Sequence, residues 1–303
     1  FQTMENFFKI DVLNKIKNLE TGVNCVEKFI SKNEAEEILD YLRNLKNKSV
    51  GKSKAVEREE STKIFFDFNQ TQKLKNLKKR IEEVIGEFYV NDFQPHIITS
   101  RYPLRLHADT GKNPNDIIYK NVIIPMEIVY KPEAKSSKPP NTIIFKNKWF
   151  DQSALFSSNI NSNTDFIIKD KSKNFIDIMD INDFYNELLK YNNSDMSYKG
   201  NVFFVDESFK NYIEYLTKSK RYNQRTNKHI ISDKKFDMRH YENYMSHQPY
   251  NDLQSLEIDR VIEWKIGDLV YWDRCRIHSS DNFLKNNVLY KTPLAMFTSK
   301  KKI

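Results

Sequence analysis

Two groups of short β-rich runs, separated by roughly a hundred residues of polar chain, set the strongest limit on what this sequence can fold into. HIITSRY, NVIIPMEIVY and NTIIFKNKWF lie between residues 94 and 150, while RVIEWKI, DLVYWD, RIHSS and VLYKTPLAMFT follow Pro249. Each is of strand length, most are rich in Val, Ile and aromatic residues, and several end at Pro, Gly or Asp, the pattern of strands bounded by turns. Turns are expected at Gly267-Asp268, from Asp273 to Arg276, and from Phe283 to Asn287. Residues 151–245 are rich in Asn, Asp, Lys and Tyr, with helices expected at 182–191 and 206–219, and read as an insertion into one sheet-building domain.

Ahead of the strands, Ser31-Lys32-Asn33-Glu34 has the form of a capping box, and Ala35, Ile38, Leu39, Leu42 and Leu45 follow at helical spacing. A helix over 32–46 is predicted. A second is predicted over 71–89, where Leu74, Leu77, Ile81, Val84, Ile85 and Phe88 form one stripe. Helices first, then antiparallel strands split by a long insertion, give an α+β protein built on a barrel or sandwich. Its expected divisions are an N-terminal helical region at 4–93, a β core from 94–150 and 246–303, and the insertion at 151–245, where loops on a rigid core would carry substrate choice. Residues 1–3, which precede Met4, are set aside as an extension.

The 39% hydrophobic and 13% aromatic content supports a sizeable core. No apolar run approaches the roughly 18 residues that a membrane helix needs, and no secretory leader pattern is visible, so a cytoplasmic protein is expected. Cys25 and Cys275 are too few for a disulfide framework or a structural zinc site. The net charge of +8 would suit a polyanionic partner, but the lysines are spread along the chain among acids and asparagines, as on a solvated surface.

Chemistry concentrates at LHADTG, where His107 and Asp109 stand two apart. On a strand, side chains at i and i+2 project to the same face, so an imidazole and a carboxylate can converge there. The spacing alone proves little, because His240-x-Glu242 repeats it in KKFDMRHYENYM without apolar flanks and serves as a control for coincidence. His278 in RIHSS supplies a possible third ligand, since strands distant in sequence can lie side by side when the chain between them loops out. Two histidines and one carboxylate on one face of a metal leave positions open, as non-haem Fe(II) oxygenases require. Lys291 follows in VLYKTPLAMFT; if that strand pairs with RIHSS, its ammonium can enter the same cavity and bind a carboxylate. Arg105 and Arg276, each two residues before a candidate histidine, share those faces and are further cavity candidates, with Arg274 another possible anchor. His247, in SHQPYNDL, could face the substrate or support a ligand, whereas Trp264 and Trp272 read as core.

His107-x-Asp109, His278 and Lys291, with WKIGDLVYWDRCRIHSSDNF and the closing LAMFT, resemble the 2-oxoglutarate- and Fe(II)-dependent dioxygenase superfamily, in particular a marine bacterial and phage branch. The resemblance covers about residues 94–147 and 245–299. It implies a double-stranded β-helix of the jelly-roll or cupin type, with iron held by His107, Asp109 and His278. It further implies 2-oxoglutarate as co-substrate, dioxygen as oxidant, and succinate and carbon dioxide as products, usually with hydroxylation of a C–H bond. The family generally places arginine at the co-substrate carboxylate, where this chain offers Lys291, with Arg276 and Arg105 as alternatives. Halogenating members carry a small residue at the position of Asp109, so hydroxylation is the expected outcome. The expected substrate is a small, amino-acid-like molecule or a peptide side chain. Two other readings remain at this level: a nucleic-acid-modifying oxygenase, for which the paired arginines after the distal histidine are missing, and a non-catalytic barrel acting as a binding module.

Overall fold

The structure, a computed structural model, describes residues 23–45, 49–52, 61–91, 94–111, 116–134, 136–149, 153–159, 166–168, 197–199, 202–204 and 222–303. The helices expected at 182–191 and 206–219 lie outside these residues.

Two seven-stranded sheets dominate. With strands numbered in chain order, the first sheet runs β1 (Asn24–Val26), β14 (Leu269–Asp273), β6 (Ile118–Tyr130), β16 (Val288–Ser299), β4 (His96–Ser100), β3 (Ser61–Phe65) and β2 (Ser49–Lys52). The second runs β13 (Ile258–Glu263), β7 (Asn141–Lys148), β15 (Arg276–Ser280), β5 (His107–Ala108), β8 (Ala154–Phe156), β12 (Tyr222–Thr226) and β9 (Phe166–Ile168). A separate hairpin joins β10 (Ser197–Lys199) to β11 (Val202–Phe204). Pairing is antiparallel except between β12 and β8.

Alternation along the strands sorts the side chains into layers. On β6, Val122, Ile124 and Met126 face outward and join Leu294 and Met296 of β16 beneath two helices, α1 (Lys32–Arg43) and α2 (Gln72–Ile85). Ile38, Leu39, Leu42, Leu74, Leu77 and Ile81 form the helices' side of that core. On the far side, Ile143, Phe145 and Ile277 of the second sheet pack outward against Phe236, Met245, Leu253 and Leu256. Between the sheets, Ile144 of β7 meets Val270 and Trp272 of β14, and beside this small cluster lies the cavity described below.

Several sequence expectations need correction. The N-terminal region is not purely helical, because β1 and β3 add to the first sheet by pairing with β14 and β4. The region 151–245 is not a simple helical insertion: β8 pairs with β5, and β12 with β8, so the sheet continues past residue 150. Both helices also end early. Ser31 caps α1 as expected and Thr71 caps α2, but α1 stops at Asn44, and Gly86 closes α2 with φ 83°, a left-handed conformation that favours glycine. Phe88 enters the core from beyond the helix end. Gly267 is constrained more tightly still: a Cβ there would lie 2.1 Å from the carbonyl oxygen of Ile30, whose N–H donates to Gly267 O. The β13–β14 turn thereby fixes the start of the helical layer against the first sheet.

Candidate metal centre

The second sheet brings the three sequence-predicted ligands together. β5 and β15 are antiparallel neighbours in which His107 pairs directly with His278. Asp109 follows immediately after the two-residue strand β5, and its Oδ2 lies 3.0 Å from Nε2 of His278 and 3.7 Å from Nε2 of His107. One ligand atom from each residue falls within 4.8 Å of the others, and this is the only such His/Cys/Asp/Glu group among the described residues.

Hydrogen bonding fixes which imidazole nitrogen is available. Nδ1 of His107 donates to the carbonyl of Arg105 at 2.5 Å, and Nδ1 of His278 donates to that of Arg276 at 2.9 Å. Each ring therefore carries a proton on Nδ1 and turns Nε2 towards the carboxylate, the orientation that suits metal ligation. Burial and the adjacent His278 push the His107 pKa down to about 4, so the ring is neutral at physiological pH. Burial alone would raise the Asp109 carboxyl, but His107, His278 and Arg274 more than offset it and hold the group well below the usual carboxylate range. Two imidazole Nε2 atoms and an ionised carboxylate converging on one point form a ligand set that a divalent cation could complete.

Neighbouring groups hold the cluster in place. Asn121 of β6 donates from Nδ2 to Asp109 Oδ2 at 3.1 Å. Trp272 of β14 stands edge-on to the His278 ring at 5.0 Å. The buried Arg274 donates from Nε to the backbone carbonyl of Asp109 at 2.8 Å, and from Nη1 to Asp116, the Thr298 carbonyl and Ser299. It is therefore a brace behind the carboxylate rather than a group facing the cavity.

The ligand cluster lines one wall of a cavity of about 120 Å³ between the sheets. Lys291 lines the same cavity, but not by the route its position suggested. β16 pairs with β6 and β4 and not with β15, so Lys291 reaches the space from the facing sheet. Its side chain is buried, with Nζ 4.0 Å from the centre of the Trp264 ring and 5.1 Å from that of Phe283. Desolvation lowers its pKa to about 8, opposed by the charge of Asp281.

Other candidates fall elsewhere. A register shift between Arg276 and His278 breaks the i, i+2 relation assumed for them, and Arg276 turns to Asp259 at 2.5 Å, outside the cavity lining. Arg105 is half-buried and also outside the lining; its charge is felt at His247. His247 contacts Ser279 Oγ at 3.5 Å behind β15 and does not line the cavity; burial lowers its pKa to about 4. Trp264 and Trp272 are buried, as expected for core, yet both also line the cavity. Asn121, Lys63 and His96 were not singled out from the sequence, although all three line it. The signal for Asn121 was a polar residue at an inward position of a strand rich in apolar residues.

No family model matches the chain, and no curated protein is significantly similar to it. Among solved structures, the epimerase SnoN in complex with Fe3+, alpha ketoglutarate and nogalamycin RO is similar at 10% identity, covering 96% of this chain and 83% of that one, with a TM-score of 0.39. A second structure of SnoN, described as a non-heme alpha ketoglutarate dependent epimerase from nogalamycin biosynthesis, is similar at 9% identity over 95% and 82% of the two chains, with a TM-score of 0.40. The hypothetical protein JW0805 from Escherichia coli gives 10% identity over 99% and 69%, with a TM-score of 0.33. The chemistry of the site rests on its own geometry.

Proposed function

We propose that this protein is an Fe(II)- and 2-oxoglutarate-dependent oxygenase on a double-stranded β-helix, acting on a C–H bond of a small, amino-acid-like molecule or of a peptide side chain. The observation that carries the reading is the convergence of two imidazole Nε2 atoms and one carboxylate on a single point within a cavity that also contains a buried ammonium. His107, Asp109 and His278 would hold the iron. Bound iron would supply dioxygen activation coupled to oxidative decarboxylation of 2-oxoglutarate, one oxygen atom going to succinate and the other to the substrate, with carbon dioxide released.

The residues divide the remaining work. Lys291 would bind the distal carboxylate of the co-substrate, a charge-assisted contact strengthened by the low-dielectric surroundings of Trp264 and Phe283. Lysine offers a point charge here where arginine would offer a fork, so orientation would depend more on the apolar walls formed by Leu104, Ile123 and Pro293. Those walls would keep bulk water away from the reacting centre. Asn121 and Arg274 would keep the Asp109 carboxylate aimed at the metal through its side-chain and backbone oxygens.

The test is oxygen-dependent release of labelled carbon dioxide from carboxyl-labelled 2-oxoglutarate, with succinate measured alongside. Iron-loaded wild type is expected to form the two products in equal amounts, slowly even without a primary substrate, and Asp109→Ala to form neither. Iron-loaded wild type that binds 2-oxoglutarate but never converts it would overturn the enzymatic reading.

A further inference from the structure

Beside the ligand cluster, two buried polar atoms have no hydrogen-bond partner: the indole Nε1–H of Trp272 and the amide Oδ1 of Asn121. The residues are 2% and 1% exposed, and both line the cavity. They are also direct cross-strand neighbours, since Trp272 of β14 pairs with Asn121 of β6, which places their side chains next to each other on the inner face of the first sheet. One is purely a donor and the other, as oriented, an acceptor. The remaining polar atom of this pair is already engaged, since Asn121 Nδ2 donates to Asp109 Oδ2. Trp264 provides a contrast within the same cavity, because its indole N–H donates to Thr142 Oγ1 at 2.8 Å.

A buried donor or acceptor left unsatisfied is destabilising, and two of opposite kind side by side fit a ligand atom that both accepts and donates. We infer that Trp272 and Asn121 form a donor–acceptor clamp for one water molecule beside the His107–Asp109–His278 cluster, accepting from the indole and donating to the amide. The inference rests on the metal reading of that cluster. In this arrangement Asn121 connects the two, steadying the carboxylate with Nδ2 and the water with Oδ1. Both are positioning residues, since their role is to orient a small protic ligand at the centre.

The test uses the whole protein labelled with nitrogen-15 at tryptophan only, which gives three indole signals, from Trp149, Trp264 and Trp272, assigned with single Trp→Phe variants. The probe is Zn(II) alone, a diamagnetic ion for the two-histidine, one-carboxylate site, with stoichiometry followed by equilibrium dialysis. On zinc binding the Trp272 indole N–H is expected to move downfield as its water becomes ordered, while that of Trp264, already bonded, stays in place. In Asn121→Ala at saturating zinc, the Trp272 shift is expected to shrink; a purely structural role for Asn121 would leave it unchanged. Stoichiometric zinc binding without movement of the Trp272 signal overturns the clamp and leaves the metal reading intact. Absence of zinc binding to wild type, with loss prevented by excess metal, overturns the metal reading and the clamp with it. An undiminished Trp272 shift in Asn121→Ala overturns the acceptor role of Asn121.

Discussion

The chain contains the same spacing twice, His107-x-Asp109 and His240-x-Glu242, and the two segments end in different states. The first sits on the inner face of a sheet, with its imidazole buried, Nδ1 tied to a backbone carbonyl two residues back, and a second histidine opposite it in register. The second occupies a short helix leading into a π turn, and His240 and Glu242 are both exposed. His240 lies 3.9 Å from Asp237, one turn earlier, and joins no metal-sized cluster among the described residues. What distinguishes them is the cross-strand partner and the removal of water, both supplied by strands distant in sequence.

The largest effect should come from breaking that contrast directly. His107→Ala or Asp109→Ala is expected to weaken Fe(II) binding by more than about a hundredfold, beyond what loss of an outer partner costs, while His240→Ala leaves it unchanged; equilibrium dialysis against iron under argon reads both. Next comes the co-substrate. Lys291→Met removes a buried charged donor, so the Kd for 2-oxoglutarate should rise by roughly 30- to 150-fold, corresponding to about 2–3 kcal/mol. Lys291→Arg should recover only part, since its fork must fit a space shaped by Trp264 and Phe283.

Acidity sharpens the same comparison. His107 and His247 have folded pKa values of about 4, below the ordinary histidine value of about 6.5, so the unfolded chain binds more protons than the native one between those limits. Stability of the metal-free protein should therefore fall as pH drops from about 6.5 towards 4, a trend that thermal melts can follow. Lys291 works in the opposite direction on binding. With its pKa lowered to about 8, 2-oxoglutarate affinity should hold below that pH and weaken as the ammonium loses its proton above it. In Lys291→Arg the alkaline weakening should disappear. The smallest effect is expected at Arg276, whose partner Asp259 is partly exposed; Arg276→Lys should leave 2-oxoglutarate affinity within about twofold, the margin expected where no ligand contact changes.

Much of this arrangement was legible in the sequence because it depends on local rules. The β-rich composition of NVIIPMEIVY marked a strand, and Ser31 and the apolar stripe located α1. His107, Asp109 and His278 could be named because strand periodicity and ligand chemistry restrict the choices. Pairing across the molecule was less accessible. Nothing local indicated that β16 faces β15 across a cavity instead of lying beside it, or that a bulge would turn Arg276 away from His278. Asn121 escaped notice because its importance lies in a contact with Asp109 that exists only once the two sheets are stacked. The strands β8 and β12 were hidden for a related reason: β8 is only three residues long and β12 is polar, and both take their conformation from the sheet they join.

The most direct test of the central claim is an anaerobic absorption titration of the metal-free protein with Fe(II) and 2-oxoglutarate. Wild type should develop the weak visible charge-transfer band of a chelated 2-oxo acid, His240→Ala should do the same, and His107→Ala should not. A wild-type protein that shows no band with both components in excess would contradict the assignment of the cluster as an iron and 2-oxoglutarate site.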